Sequence, residues 1–255
     1  MKLRVISLVV LFAISPLAVD AYAIDHSLLT EVLKEYVKNG SVDYKGLKDD
    51  SRFLKYIQLL EGSDPTAIQP EDTLAYWLNV YNAFTLKVIC DHYPLESIRD
   101  LNTGPLVFAY ALKTTVWDKK FVTLNGKPYT LNEVEHEHLR TTGDARVHFA
   151  MVCAAKSCPS LRPEAYTTAN LNAQLNEQGR LFMSQPYKNR FDLPHNKKII
   201  ISKIFDWFEE DFVRDSGSVV KFIARFVPSE VAQQLISLEQ DLDIDYTEYD
   251  WSLNE

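Results

Sequence analysis

Between residues 26 and 60 apolar side chains recur at helical spacing. Leu28, Leu29, Val32, Leu33 and Tyr36 predict a helix over 26–38. A second short helix is expected over 51–60, before the breakers Ser63-Asp64-Pro65 and Gln69-Pro70. Thr73 to Tyr93 is different in kind. Leu74, Trp77, Leu78, Tyr81, Phe84, Val88 and Ile89 cover more than half of its wheel, with Asp72 or Thr73 to cap it and Pro94 to stop it. A helix apolar nearly all round belongs in the centre of a fold. Ala75, Asn79, Asn82, Leu86 and Cys90 share one stripe of it, so two amides enter an apolar environment and must find partners there.

Downstream the period changes. Residues 116–124 and 127–130 read as strands around Asn125-Gly126, a strong hairpin turn signal. Thr130-Leu131-Asn132-Glu133 fits a capping box that opens a helix through Arg140. Residues 145–153 are apolar on both faces beyond Arg146 except at His148, which predicts a buried strand. Helices are expected over 169–184, 203–213, 218–226 and 228–238, and a strand over 197–202. Asp241, Asp243 and Asp245 alternate with Leu242, Ile244 and Tyr246 as a half-buried strand; a calcium loop would need Gly at Tyr246 and Glu at Ser252. Helices and strands mixed without regular βαβ alternation predict an α+β fold. It is expected as a single domain whose 73–93 helix packs on a mainly antiparallel sheet.

The N-terminus changes the picture of where this domain works. Lys2 and Arg4 precede an apolar run from Val5 to Val19, and Ala21-Tyr22-Ala23 puts small residues at a cleavage point. The pattern predicts a secretory signal peptide over 1–23, a mature domain over 24–255 starting at Ile24, and a periplasmic or secreted location. About 15 apolar residues fall short of the ~20 that span a bilayer, and no transmembrane segment is expected in the mature chain. The net charge of −8 carries no basic cluster, which argues against nucleic acid and anionic membrane surfaces as partners. The three cysteines, Cys90, Cys153 and Cys158, leave at least one thiol unpaired in an oxidising compartment.

Candidate chemistry gathers on few residues. His148, an imidazole in an apolar run, can act as a base or be a hydrogen-bonded core histidine. Cys153-Ala-Ala-Lys-Ser-Cys158-Pro159 follows it. One of these thiols can be a nucleophile activated by His148 or Lys156, or the pair can be a disulfide closing a tight loop. On a strand His148 and Cys153 face opposite ways, which favours Cys158 as the nucleophile. Asn79 and Asn82 can orient an imidazole, donate to an oxyanion, or pin neighbouring backbone. In Glu135-His136-Glu137-His138 the first histidine shares a face with Arg140 and the second with Leu131 and Val134. They do not converge as the histidines of HExxH do. The catalytic set is therefore Cys158, His148 and Asn79, with Asn82, His136 and Cys153 as binding residues. A small-molecule or peptide ligand is expected, with no metal and no cofactor.

Trp77-Leu-Asn79-Val-Tyr81-Asn82-Ala83, Glu135-His136-Glu-His-Leu-Arg140, His148-Phe-Ala and Ser157-Cys158-Pro159 form an ordered series. It continues through Ile204-Phe205-Asp-Trp207-Phe208, Asp211-Phe212 and Tyr249-Asp250-Trp251-Ser252-Leu253-Asn254. Together these motifs resemble the domain-of-unknown-function 547 family. The resemblance implies an exported bacterial protein and marks the site without naming a substrate. In outline the expected fold is similar to papain-like and transglutaminase-like enzymes. Their chains run cysteine, histidine, amide, whereas this one runs amide, histidine, cysteine, so a permutation would be needed. Two functions are expected from these residues: a thiol-dependent hydrolase or acyl transferase, or a non-catalytic envelope ligand-binding protein stapled by a Cys153–Cys158 disulfide.

Overall fold

The computed structural model describes residues 22–104, 109 and 111–255. The signal-peptide segment lies outside these residues except for its last two. There Tyr22 bridges to Ile68 and its hydroxyl accepts from the Asp64 N–H at 2.7 Å. Tyr22, inside the segment read as the signal peptide, therefore contacts the domain.

The fold is α+β. Helices α1 (Ser27–Tyr36) and α2 (Ser51–Glu61) pack through their apolar stripes, and Asp50 caps α2 by accepting from Arg52 and Phe53. Helix α3 (Thr73–His92) is central, with Ala75 through Leu86 all buried. The strands are short and make three small sheets. Two are antiparallel pairs, β1 (Val37–Lys38) with β2 (Ser41–Val42) and β3 (Val122–Leu124) with β4 (Lys127–Tyr129). Asn125 and Gly126 join the second pair with φ of 48° and 71°, the double left-handed turn that Asn-Gly favours. In the third, β6 (Lys198–Ile201) pairs antiparallel with β5 (Arg190–Asp192) and parallel with β7 (Asp243–Tyr246). Among the described residues no helix is long and apolar enough to cross a membrane.

Two apolar cores result. One surrounds α3. The other is built largely of phenylalanines, among them Phe149, Phe182, Phe205, Phe212 and Phe222, carried by α5 (Val147–Ala150), α6 (Leu171–Met183), α7 (Ile204–Trp207), α8 (Glu209–Ser216) and α9 (Val219–Ala224). Helix α10 (Ser229–Leu238) closes this second core through Leu235.

The run 145–153 is not a strand. Arg146 N–H bonds to the Asp144 side chain at 3.0 Å and starts one helical turn, α5, after which the chain extends. Among the described residues its extended part pairs with no strand. Instead Asn82 donates to Ala150 O and accepts from Val152 N–H, both at 2.9 Å, and so supplies the bonds a ladder would have made. Asn79 does the same for Tyr166, donating to its carbonyl at 2.8 Å and accepting from its N–H at 2.9 Å. Both amides thus pin backbone onto α3, and losing either would strand buried groups at a cost of about 1–3 kcal/mol.

Candidate functional site

A cavity of about 620 Å³ opens where the two cores meet. Helix α4 spans 131–142 and enters it by an unusual route. The Thr130/Glu133 capping box opens it, and Val134–Leu139 then widen into a π turn before Arg140–Thr142 tighten. Single π turns are frequent at functional sites, and this one carries Glu135 and His136 to the cavity wall.

His148 lines the cavity from α5, buried to 3% and stacked on Phe208 with ring centroids 4.2 Å apart. Its Nε2 lies 2.8 Å from Asp211 Oδ2 on α8. Because a carboxylate only accepts, Nε2 carries the proton and Nδ1 keeps its lone pair. Burial lowers the histidine pKa, and Asp211 only partly opposes that, so the ring is neutral near pH 7. Asp211 is itself buried to 1% and receives Arg140 Nε at 2.5 Å and Arg214 at 2.8 Å. Burial works against its charge, but hydrogen bonds from His148 and Arg140 outweigh this and hold its carboxyl far below the usual range. Arg140 also donates to His136 Nδ1 and to Glu210 Oε1, each at 2.6 Å. His138 turns away and stacks on Trp77, 3.8 Å between centroids.

The two thiols sit on the adjoining wall. Ala154 takes a left-handed φ of 60°, turning the loop back so that Cys158 Sγ lies 2.8 Å from both Cys153 Sγ and Cys153 N. The C-terminal tail braces this loop: Ala155 bridges to Leu253, and Lys156 N–H bonds to Ser252 O at 2.9 Å. The tail also delivers the Tyr249 hydroxyl to within 3.2 Å of Cys153 Sγ. Burial raises both thiols. At Cys153 it dominates and the pKa lies well above normal. At Cys158 hydrogen bonds from the Cys153 side chain and N–H, with the charge of Lys188, overcome burial and bring the thiol below its ordinary value. Lys188, buried to 3%, donates to the Cys158 carbonyl, and burial pushes its own pKa down to about 8.

Of the residues singled out in the sequence, the cavity gathers Cys158, Cys153, His148 and His136. The opposite-face argument for His148 and Cys153 falls with the strand it assumed, and both reach the same cavity. Asn79 and Asn82 are not among its lining residues, and their amides are committed to backbone. The imidazole is oriented by Asp211 instead. That residue, Arg140, Glu135, Lys188 and the aromatic wall of Trp117, Trp207, Tyr249 and Trp251 were missed as site residues. Most stood inside motifs already noted, and the signal available was a charged or aromatic residue within each. Lys188 has no such signal.

Residues 65–183 match the family described as "Protein of unknown function, DUF547". The span contains both thiols, His148, Glu135 and Arg140, while Asp211, Lys188 and the tail lie beyond it. Neither the curated proteins nor the solved structures hold a match to this chain.

Proposed function

We propose that this chain is an exported thiol-dependent hydrolase or acyl transferase, with Cys158 as nucleophile and His148 as proton carrier. One observation carries the reading. The Cys158 thiol shares a cavity with an imidazole whose far nitrogen is fixed by a buried carboxylate. In this reading His148 Nδ1 takes the Cys158 thiol proton as the sulfur attacks an acyl carbon, then gives that proton to the leaving group as the acyl-enzyme forms, and Asp211 keeps the imidazole in the required tautomer. Asn79 has no part in the chemistry; it holds Tyr166 in place.

The runner-up is a ligand-binding protein with Cys153 and Cys158 oxidised, and the 2.8 Å approach of the two sulfurs favours it. Alkylation separates the two. With iodoacetamide under non-reducing conditions, Cys158 is expected to react with a midpoint below ~8.5, the unperturbed cysteine value. Lys188→Met is expected to move that midpoint upward. Exported protein in which neither thiol reacts until reductant is added supports the stapled binder and removes the enzyme reading.

Export itself is proposed from the tripartite N-terminal pattern. N-terminal sequencing of the exported protein is expected to begin at Ile24. A start at Tyr22 would retain the bridge to Ile68 and still support export, whereas an intact Met1 overturns it.

A further inference from the structure

Glu135 is a buried carboxyl in the cavity wall with little to satisfy it. It is buried to 7%, lines the cavity, and its one hydrogen-bond neighbour among the described residues is the Tyr81 hydroxyl at 3.5 Å, the outer limit of such a bond. The cation whose charge acts on it, Arg140, is already committed to Asp211 at 2.5 Å and Glu210 at 2.6 Å. Asp211 takes Arg214 as well. The cluster therefore sets three carboxyls, Glu135, Asp211 and Glu210, against two guanidiniums, Arg140 and Arg214. His136 and His148 add no charge near pH 7, because burial lowers the pKa of both. When Glu135 ionises, one negative charge is left without a partner beside an aromatic wall. Asp118, also lining the cavity, is held by Thr115 and Asn132.

We infer that the cavity binds a ligand bearing a protonated amine, held by the Glu135 carboxylate and flanked by the aromatic faces of the cavity wall. A buried carboxyl needs a donor, and an ammonium supplies both the donors and the missing charge. Tryptophan and tyrosine faces attract the same group, and Trp117, Trp207, Tyr249 and Trp251 pack against one another in the cavity lining, one pair edge to face and the others tilted or stacked. Arg99 and Lys113 also line the cavity and would favour an anion. Arg99, however, lies over the Trp251 ring at 4.9 Å and opens equally onto a neighbouring surface cleft. The inference shares with the thiol reading the premise that this cavity is the functional site, but it does not rest on the thiol.

Benzylamine tests it, with benzyl alcohol and benzoate as matched probes, by calorimetry on the full mature chain at pH 7. Benzylamine is expected to bind and the other two to bind at least tenfold more weakly. Repeating the titration in buffers of different ionisation enthalpy should reveal proton release, since burial holds the Glu135 pKa at about 7 and the bound ammonium forces it to ionise. Glu135→Gln is expected to lose at least tenfold in benzylamine affinity, whereas Cys158→Ser keeps it. Preference for benzoate, undiminished binding by Glu135→Gln, or no benzylamine binding at all overturns the inference. Retained binding in a protein whose Cys158 never alkylates would leave the inference standing while the thiol reading fails.

Discussion

Replacing Asp211 by asparagine is expected to cost the fold about 3–5 kcal/mol, the range for removing one partner of a buried ion pair. The carboxylate is buried to 1% and is the common acceptor for His148, Arg140 and Arg214. An amide of the same shape can still accept one hydrogen bond, but it cannot neutralise Arg140, whose side chain is mostly buried. The loss should also depend on pH. The folded-state pKa of Asp211 is depressed, so its stabilisation is present above the unfolded value of ~3.9 and fades as pH falls through the folded value. Urea midpoints of parent and Asp211→Asn should thus lie far apart at pH 7 and converge in acid. Equal midpoints at pH 7 would show that the cluster holds nothing in place, and with it the claim that Asp211 orients His148 would go.

How far the site was legible in the sequence follows from where each residue's partner lies. Asn79 and Asn82 stood out because polar side chains on an apolar helix need partners, and both proved buried and paired. What they bonded to was not legible, because Tyr166 and Val152 are reached only through the tertiary fold. The hairpin at Asn125-Gly126, the capping box at Thr130 and the helices on either side of α3 are local devices, and the chain forms each as its residues dictate. The segment 145–153 misled for the converse reason. Its apolar pattern records burial, which a strand and an extended segment clamped by a side-chain amide share, and only the location of Asn82 distinguishes them. Asp211 sits in an acidic stretch, Glu209-Glu210-Asp211, inside the helix expected over 203–213, and nothing local says that one of the three turns inward. Lys188 is the extreme case, a lysine in a polar loop whose burial is decided by the Cys158 carbonyl thirty residues earlier. Sites assembled from separate segments therefore reveal their anomalous members in the sequence and conceal their partners.

Glu135→Gln is expected to gain stability relative to the parent as pH rises, by on the order of 3 kcal/mol between pH 4 and pH 8. Burial lifts the Glu135 pKa to about 7, with Arg140 and the Tyr81 hydroxyl opposing it too weakly to prevent the rise. In the unfolded chain the same carboxyl ionises near ~4.3. Above that value the unfolded state binds fewer protons than the native state at this residue, so stability falls with pH until the folded pKa is passed. At pH 4 both states are mostly protonated and Glu135 exacts little electrostatic cost. At pH 8 both are ionised, and the native state carries a charge that nothing in the cluster balances. Glutamine keeps the shape and a hydrogen bond to Tyr81 but has no charge to bury, so its stability should lack this decline. Urea unfolding of both proteins at pH 4 and pH 8 measures the difference directly. A gap that is the same at both values would mean that Glu135 is already paired in the folded protein, and the vacancy for an ammonium would close with it. A gap that opens with pH, and that benzylamine closes by stabilising the parent alone, would identify the cost of Glu135 as one the fold bears for its ligand.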